Sequence, residues 1–579
     1  MNQKKILFFF ALLSVFAFAG KSEAANIYVD QTLAANCTSG NYSTAARNCG
    51  GSDGDAYVNV QAALDAMAGG DDIYLRGGTY ASSGDGRETF EIKADGTADD
   101  YSSIQSYPGE WARIQGSGDW CVIGLRAYQN QCPGPGCVKY WRFERLEISG
   151  GTNAGIALSG GPFTVRYCYI HDNYAGTGGD NPAGIYANVP MDSVIEYNFF
   201  DSNGASDTAG TNCAQIVFLS DYAVSYELIS KTNVLADGAY NENSLIARNI
   251  VRYNLFKETT DRSTRAFKHK AGQTIIPHAV NGTITESRKH FGDKIHHNLV
   301  LGSEMIETNQ DLAQIYNNII PDSHISVGYT GDYAPLYSCI YNNYVKRLHY
   351  SLSYVTTSNK YYFWDPAGDV AFRKDWTYNN IIDNFVDSDR NRQVGFRDYM
   401  CNTGDSGCAS YYDDSTVLNL NDFHFKNNYL YRPDNNNDVW NADLVAPGHR
   451  DIGLISNWET NYPQISGNYR KASSEGIDNL MSGTSGSSRY ITREEHAVSG
   501  SATISNGGIG SGHPYLDDVT IPSYIGATNP DDNDWVEGVL NLADVSILQN
   551  ALGDPDWIEG ATTSGDEIAP ASPQGLSVS

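Results

Sequence analysis

Apolar and polar residues alternate in this chain over short runs, and the runs are broken by clusters of Asn, Gly, Asp and Ser. A period of two marks a strand with one buried face, and turn residues on either side mark its ends. Helical periodicity is rare. Its clearest instance is AYVNVQAALDAMAGG at 56–70, amphipathic and closed by glycines, which predicts a helix. The pattern predicts an all-β chain of short strands with one early helix.

One motif recurs: an aromatic or polar residue, then Asn, then apolar alternation. It appears as VIEYNFF (194–200), VRYNLF (251–256), IHHNLV (295–300), IYNNII (315–320), IYNNYV (340–345), TYNNII (377–382) and FKNNYL (425–430). VRYCYI (165–170) is the same motif with Cys168 in the Asn place. Cys168 to Asn198 is 30 residues, Asn298 to Asn318 is 20 and Asn318 to Asn343 is 25, while Asn198 to Asn254 is 56, the length of two such units. One strand at each step predicts a solenoid whose turns carry loops, because a single coil cannot bury its apolar face alone. An Asn side chain both donates and accepts, so stacked Asn residues can satisfy the turn backbone and one another. Asn198, Asn254, Asn298, Asn318 and Asn343 are therefore expected at one corner.

The opening NIYVDQTLAANC, the helix in VNVQAALDAMAGGDDIYLRGGTY and the repeated YNN strands together resemble the right-handed parallel β-helix proteins of the pectate-lyase type. The resemblance covers roughly residues 25 to 450. It implies an all-β solenoid with an N-terminal helix capping the open end of the coil stack. Fold does not determine chemistry, so function is argued from side chains.

Composition refines this picture. Residues 1–24 read as a secretory signal peptide: Lys4 and Lys5, then an apolar run, then a small-x-small cleavage site. The run is too short for a membrane span, so an exported protein, extracellular or periplasmic, is expected, acting as a monomer away from membranes. Export permits disulfides. Cys37 with Cys49 and Cys401 with Cys408 are expected as loop staples, Cys121 lies near Cys132 and Cys137, and Cys168, Cys213 and Cys339 are expected as buried thiols. The formal net charge of -29 argues against a nucleic-acid partner.

Against that acidic background, residues 257–297 hold eight Lys or Arg, four Asp or Glu and five of the twelve histidines. In AFKHKA, Phe267 and His269 share one strand face and Lys268 and Lys270 the other. With Phe267 in the core, both lysines point out. Arg288 and His290 follow Lys268 and Lys270 by 20 residues each, close to one coil, and adjacent coils lie about 4.8 Å apart. A two-by-two cationic patch is expected, flanked by Arg265, His269 and Lys289 as substrate contacts.

Such a patch suits cleavage of an acidic polysaccharide by β-elimination. Cations neutralise the uronate carboxylate and a base removes the proton beside it. Lys268 and Lys270 are candidate bases, because like charges favour a neutral lysine. Arg288 is the candidate clamp and His290 a second acid or base. β-Helix lyases of the resembled type use Lys and Arg in this way, often with calcium, and Glu258 and Asp261 are the nearest candidate ligands. Two alternatives stay open. A β-helix glycoside hydrolase on an anionic, for instance sulfated, polymer needs paired carboxylates, for which Glu304, Glu307 and Asp311 stand near. A non-catalytic carbohydrate-binding β-helix could use the chain's 39 tyrosines.

The catalytic domain is expected over 25–515, with Gly/Ser-rich stretches near its end. Residues 516–560 form a closing segment with one helix. It resembles half of a dockerin at Gly538, Asn541 and Asp544, with Trp535 where a polar ligand belongs. Residues 561–579 resemble a linker and the start of a fibronectin type III domain.

Overall fold

The computed structural model describes residues 24–82, 86–124, 139–174, 181–204, 213–219, 246–257, 265–270, 292–302, 305–310, 312–328 and 337–351. It also describes 353–355, 361–362, 370–372, 375–383, 394–397, 417–419, 423–432, 460–461, 464–472, 516, 526–527 and 535–550. The described residues form a parallel β-helix. One sheet of 14 strands makes one face. A sheet of 20 makes the other two, joined by long strands such as Ile319–Val327 and Tyr344–Ser351 that pair on both faces.

Pairing is in register from coil to coil, so equivalent residues stack. Ile73, Ile104, Phe143, Val165, Ile195 and Val251 are one inward column. Ile123, Ile156, Ile185, Ile216, Phe267 and Ile306 are another. Both belong to one continuous buried cluster. The alternation of the sequence is thus the alternation of inside and outside. The helix Val60–Ala66 closes the N-terminal end, with Val60, Ala63 and Leu64 in the same cluster and Asn59 accepting from Ala62 N–H as its N-cap.

The expected Asn corner is present and runs one rung beyond the last repeated motif, to Asn468. Asn198, Asn254, Asn298, Asn318, Asn343, Asn380, Asn428 and Asn468 form one ladder. In each step the backbone N–H and side-chain Nδ2 of one Asn both donate to Oδ1 of the next, as at Asn254 to Asn298 (3.1 Å each). Cys168 begins the ladder, its N–H donating to Asn198 Oδ1. The residue before each rung is left-handed: Tyr167, Tyr197, Tyr253, His297, Asn317, Asn342, Asn379 and Asn427 have φ between 51° and 56°, and Gly467 takes that place before Asn468. This explains YNN: the first Asn tolerates positive φ and the second is the rung. One spacing is corrected. Asn198 and Asn254 are adjacent rungs, so the 56 residues between them are one coil with a long insertion.

The outside also stacks. Glu144, Arg166, Glu196 and Arg252 share a column of alternating charge, with Arg166 to Glu144 at 2.8 Å and Arg252 to Glu196 at 2.9 Å. The column continues as His296, Tyr316, Tyr341 and Tyr378. The C-terminal segment covers late coils as a strap. Leu516 packs with Tyr341 and Trp376, and Gly526 N–H donates to Asn379 O. The helices Trp535–Asn541 and Val545–Asn550 bring Trp535, Val539, Leu542 and Leu548 against Tyr253, Leu299, Ile319 and Tyr344. Gly538 and Asn541 are helical there and Asp544 accepts from Ser546 N–H; the segment carries two short helices where one was expected.

The Cys37–Cys49 disulfide is formed. Cys121, Cys168, Cys213 and Cys339 are buried. Cys132, Cys137, Cys401 and Cys408 lie outside the described residues, as does the signal-like stretch. Among the described residues no helix is long and apolar enough to cross a membrane.

The ladder makes a direct test. Asn298→Ala removes the acceptor for both donors of Asn254 and the donor to Val251 O. Each stranded buried group costs about 1–3 kcal/mol. Urea unfolding should show a loss of about 3 kcal/mol or more, and a loss under about 1 kcal/mol would mean the ladder follows the fold without supporting it.

Candidate functional site

The strand Arg265–Lys270 lies between Ala214–Leu219 and Met305–Thr308. Phe267 stacks between Ile216 and Ile306 in the core, so Lys268 faces outward, as its parity predicts. An irregularity in pairing between Arg265 and Phe267 changes the count upstream. Ala266 joins Phe267 in the core cluster, and Arg265 emerges on the same outer face as Lys268. Such an extra residue re-aims side chains, and here it brings two cations together three positions apart.

Glu307 completes the group. It is the register partner of Lys268 on the next coil, and its Oε2 takes an ion pair from Arg265 Nε. Lys268 Nζ lies 3.4 Å from Asn181 Oδ1, two coils back. Arg265, Lys268 and Glu307 are all buried, at 4%, 0% and 0% exposure. Buried charges of this kind persist only when paired and hydrogen-bonded. Apolar residues border the site on the N-terminal side: Val217 packs with Ala183 and Ala214, and Tyr186 stands edge-on to Trp120 at 5.3 Å.

His269 takes a different place from the expected substrate contact. Its imidazole points inward with Phe267, at 1% exposure. Its Nδ1 is 2.9 Å from Thr308 Oγ1 and its Nε2 is 2.9 Å from Asp293 Oδ2. Asp293 Oδ1 accepts from Asn249 N–H and Nδ2. The ring therefore ties the strands carrying Lys268 and Glu307 to the opposite sheet from within. Strand parity explains this: His269 shares the face of a core phenylalanine.

The expected two-by-two patch is revised in its register. The residue across from Lys268 on the next coil follows it by 39 positions, the separation of His269 and Thr308, and it is an acid. Arg288, Lys289 and His290 lie outside the described residues, as do Glu258 and Asp261. Lys270 ends its strand opposite Leu219. His296 and His297, counted with the cationic stretch, belong to the Asn corner. Asn181 carried no sequence signal. Glu307 did, through the alternation in MIET, but only the true coil length puts it beside Lys268.

Removing one partner of a buried ion pair leaves an uncompensated charge, at about 3–5 kcal/mol. Glu307→Gln and Arg265→Met should each destabilise the protein strongly in chemical denaturation, and the double variant should lose less than the sum of the two, since Lys268 still lacks its acid. Additive losses would mean the two side chains do not act as a pair.

No protein-family model matches this sequence, and no curated protein matches it. Solved structures do. The chain is similar to a PL6 family polysaccharide lyase from Pseudopedobacter saltans, at 13% identity over 72% of this chain and 91% of that chain, with a TM-score of 0.38. It is similar to an alginate lyase from a Paenibacillus species, at 14% identity over 71% of this chain and 91% of that chain, with a TM-score of 0.27. It is similar to XylC in complex with xylose, at 10% identity over 72% of this chain and 88% of that chain, with a TM-score of 0.38. At these identities the chemistry has to be read from this chain's own residues.

Proposed function

We propose that this protein is an exported polysaccharide lyase that cleaves an acidic polysaccharide by β-elimination at the outer face bearing Lys268. The observation that carries the reading is the convergence of Arg265 and Lys268 on one outward face, through the pairing irregularity at Ala266, in a chain that is otherwise acidic. A uronate carboxylate is neutralised there by guanidinium and ammonium groups. Lys268 or Lys270 takes the proton from the carbon beside it. The electron pair released forms a carbon–carbon double bond as the glycosidic C–O bond breaks, and the departing oxygen takes up a proton. Arg288 and Lys289 extend the clamp and His290 serves as the second acid or base. Glu307 holds Arg265 and Lys268 in place in the resting protein. The Cys37–Cys49 disulfide is what an exported protein would carry.

The test is digestion of a panel of uronate and sulfated polysaccharides, followed by ultraviolet absorbance of the unsaturated product and by reducing ends. Lys→Ala at the base should lower turnover by about two to four orders of magnitude; because Lys268 is buried opposite Glu307, its variant is assayed on protein whose fold is checked by circular dichroism. Arg288→Ala should weaken binding and turnover together. Reducing ends without the unsaturated product, with activity lost in Glu304→Gln and kept in the lysine variants, would make the protein a hydrolase. No product on a broad panel would favour binding alone.

Calcium is part of the same proposal. Among the described residues no group of three His, Cys, Asp or Glu side chains is gathered as metal ligands, and Glu258 and Asp261 remain the candidates. With calcium held there to share in neutralising the carboxylate, chelation abolishes elimination and added calcium restores it. Unchanged turnover in excess chelator would leave Arg and Lys as the whole of the positive charge.

A further inference from the structure

The left-handed corner beside the Asn ladder is Tyr in the early coils, Asn in four later ones and Gly467 at the last, and it is histidine once, at His297. In three successive coils the three residues ending at the rung are Tyr-Asn-Asn, at 316–318, 341–343 and 378–380. One coil earlier they are His296-His297-Asn298. His296 occupies the outward position that is Tyr in the three later coils. His297 occupies the left-handed position that is Asn in them. Neither histidine is needed by the ladder, and neither has a part in the proposed chemistry.

The two rings face each other. His296 Nδ1 is 2.7 Å from His297 Nδ1, and Asn317 Nδ2 is 2.9 Å from His297 Nε2. With Asn317 donating to Nε2, His297 carries its hydrogen on Nδ1 and gives it to His296, so both rings are neutral. A second proton on either ring sets two N–H groups against each other unless the Asn317 amide turns over to accept, which forces the corner to rearrange. The surroundings offer it little compensation. Arg252 and Tyr253 lie on the preceding coil, Lys294 on the same strand, and Tyr316, stacked on His296 at 4.5 Å, on the next. Arg252 is itself paired to Glu196. From the strap, Trp535 stands edge-on to His297 at 5.3 Å and lies 6.5 Å from Tyr253. Glu537 is the one acidic residue in that strap helix.

We propose that the His296–His297 pair is an acid-opened joint: neutral, it seats the C-terminal strap on the coil, and protonation of either ring unseats the strap. Burial, then the charge of Arg252, pushes His297 down to about 3. Burial, then His297, Arg252 and Lys294, holds His296 well below its ordinary value. The seated state thus binds the extra proton less tightly than an opened or unfolded one. Its stability is complete above the free imidazole value of about 6.5 and declines as pH falls from there. One linked proton raises the opening constant by about tenfold per pH unit in that range. The joint is independent of the polysaccharide reading.

The chain supplies its own control, since His296→Tyr with His297→Asn rewrites this corner as the Tyr-Asn-Asn of the next coil. Hydrogen–deuterium exchange, corrected for intrinsic rates, is measured on the full chain between about pH 7 and about pH 4.5. Peptides from 535–550 report the strap and peptides from 60–66 the N-terminal end. The expected result is that strap protection in the unaltered protein falls by about tenfold per unit below about pH 6.5, while the N-terminal peptides hold and the double variant's strap responds far less. Three results would each overturn the proposal: a strap indifferent to pH in the unaltered protein, equal slopes in protein and variant, or parallel loss at the N-terminal end. Should the double variant not fold, His297→Asn alone replaces it, with a shallower slope expected and an unchanged slope counting against the joint.

Discussion

Parallel strands stacked in register place every side chain about 4.8 Å above its counterpart in the next coil, and most of this molecule follows from that closeness. A residue in such a column must tolerate a copy of itself, or be met by its opposite. Aliphatic side chains tolerate copies, hence the long Ile and Val columns inside. The Asn amide does so among polar groups, because its donor edge fits the acceptor edge of the next. Aromatic rings do so by stacking, as Tyr197 and Tyr253 do at 5.0 Å. A left-handed tyrosine carries a backbone cost of about 1–2 kcal/mol; stacking and the fixed rung behind it offset that cost.

Charge cannot stack on its like, and the candidate site shows how the fold handles this. Lys268 meets Glu307 along its column and Arg265 reaches the same carboxylate. The candidate site thus carries an internal anion, which keeps two cations ordered and buried. Behind them, inside the coil, His269 bridges Thr308 and Asp293. Adjacent residues of one strand divide the work: the outward one carries the charge and the inward one anchors the strand.

The fold was legible in the sequence because its key interaction is chemically unusual. A buried Asn held in constant phase with apolar alternation has few explanations, and stacking is the simplest. Lys268 facing out was legible for the same reason, since Phe267 reveals its own side. The length of a coil was harder to read. Insertions leave at the corners without disturbing strands, so the 56 residues from Asn198 to Asn254 passed for two turns. Taking 20 residues as the coil after Lys268 set Arg288 where Glu307 stands. His269 could have been placed inside by parity, but an imidazole in a cationic run looks like surface chemistry. Asn181 is brought near only by two coils of winding.

The charged column Glu144, Arg166, Glu196, Arg252 bears on how such a chain can change its length. Solenoids grow and shrink by whole turns, and where the rung is Asn on Asn, as at Asn318, Asn343 and Asn380, one turn more or fewer leaves every contact of the same kind. Between Glu144 and Arg252 the rule differs. Excising the turn of Arg166 sets glutamate on glutamate, and excising that of Glu196 sets arginine on arginine; only the loss of both restores the alternation. The strict part of the molecule therefore counts its turns in twos. The part whose outward column is Tyr316, Tyr341 and Tyr378 counts in ones, and it is there that a change in length is compatible with the fold.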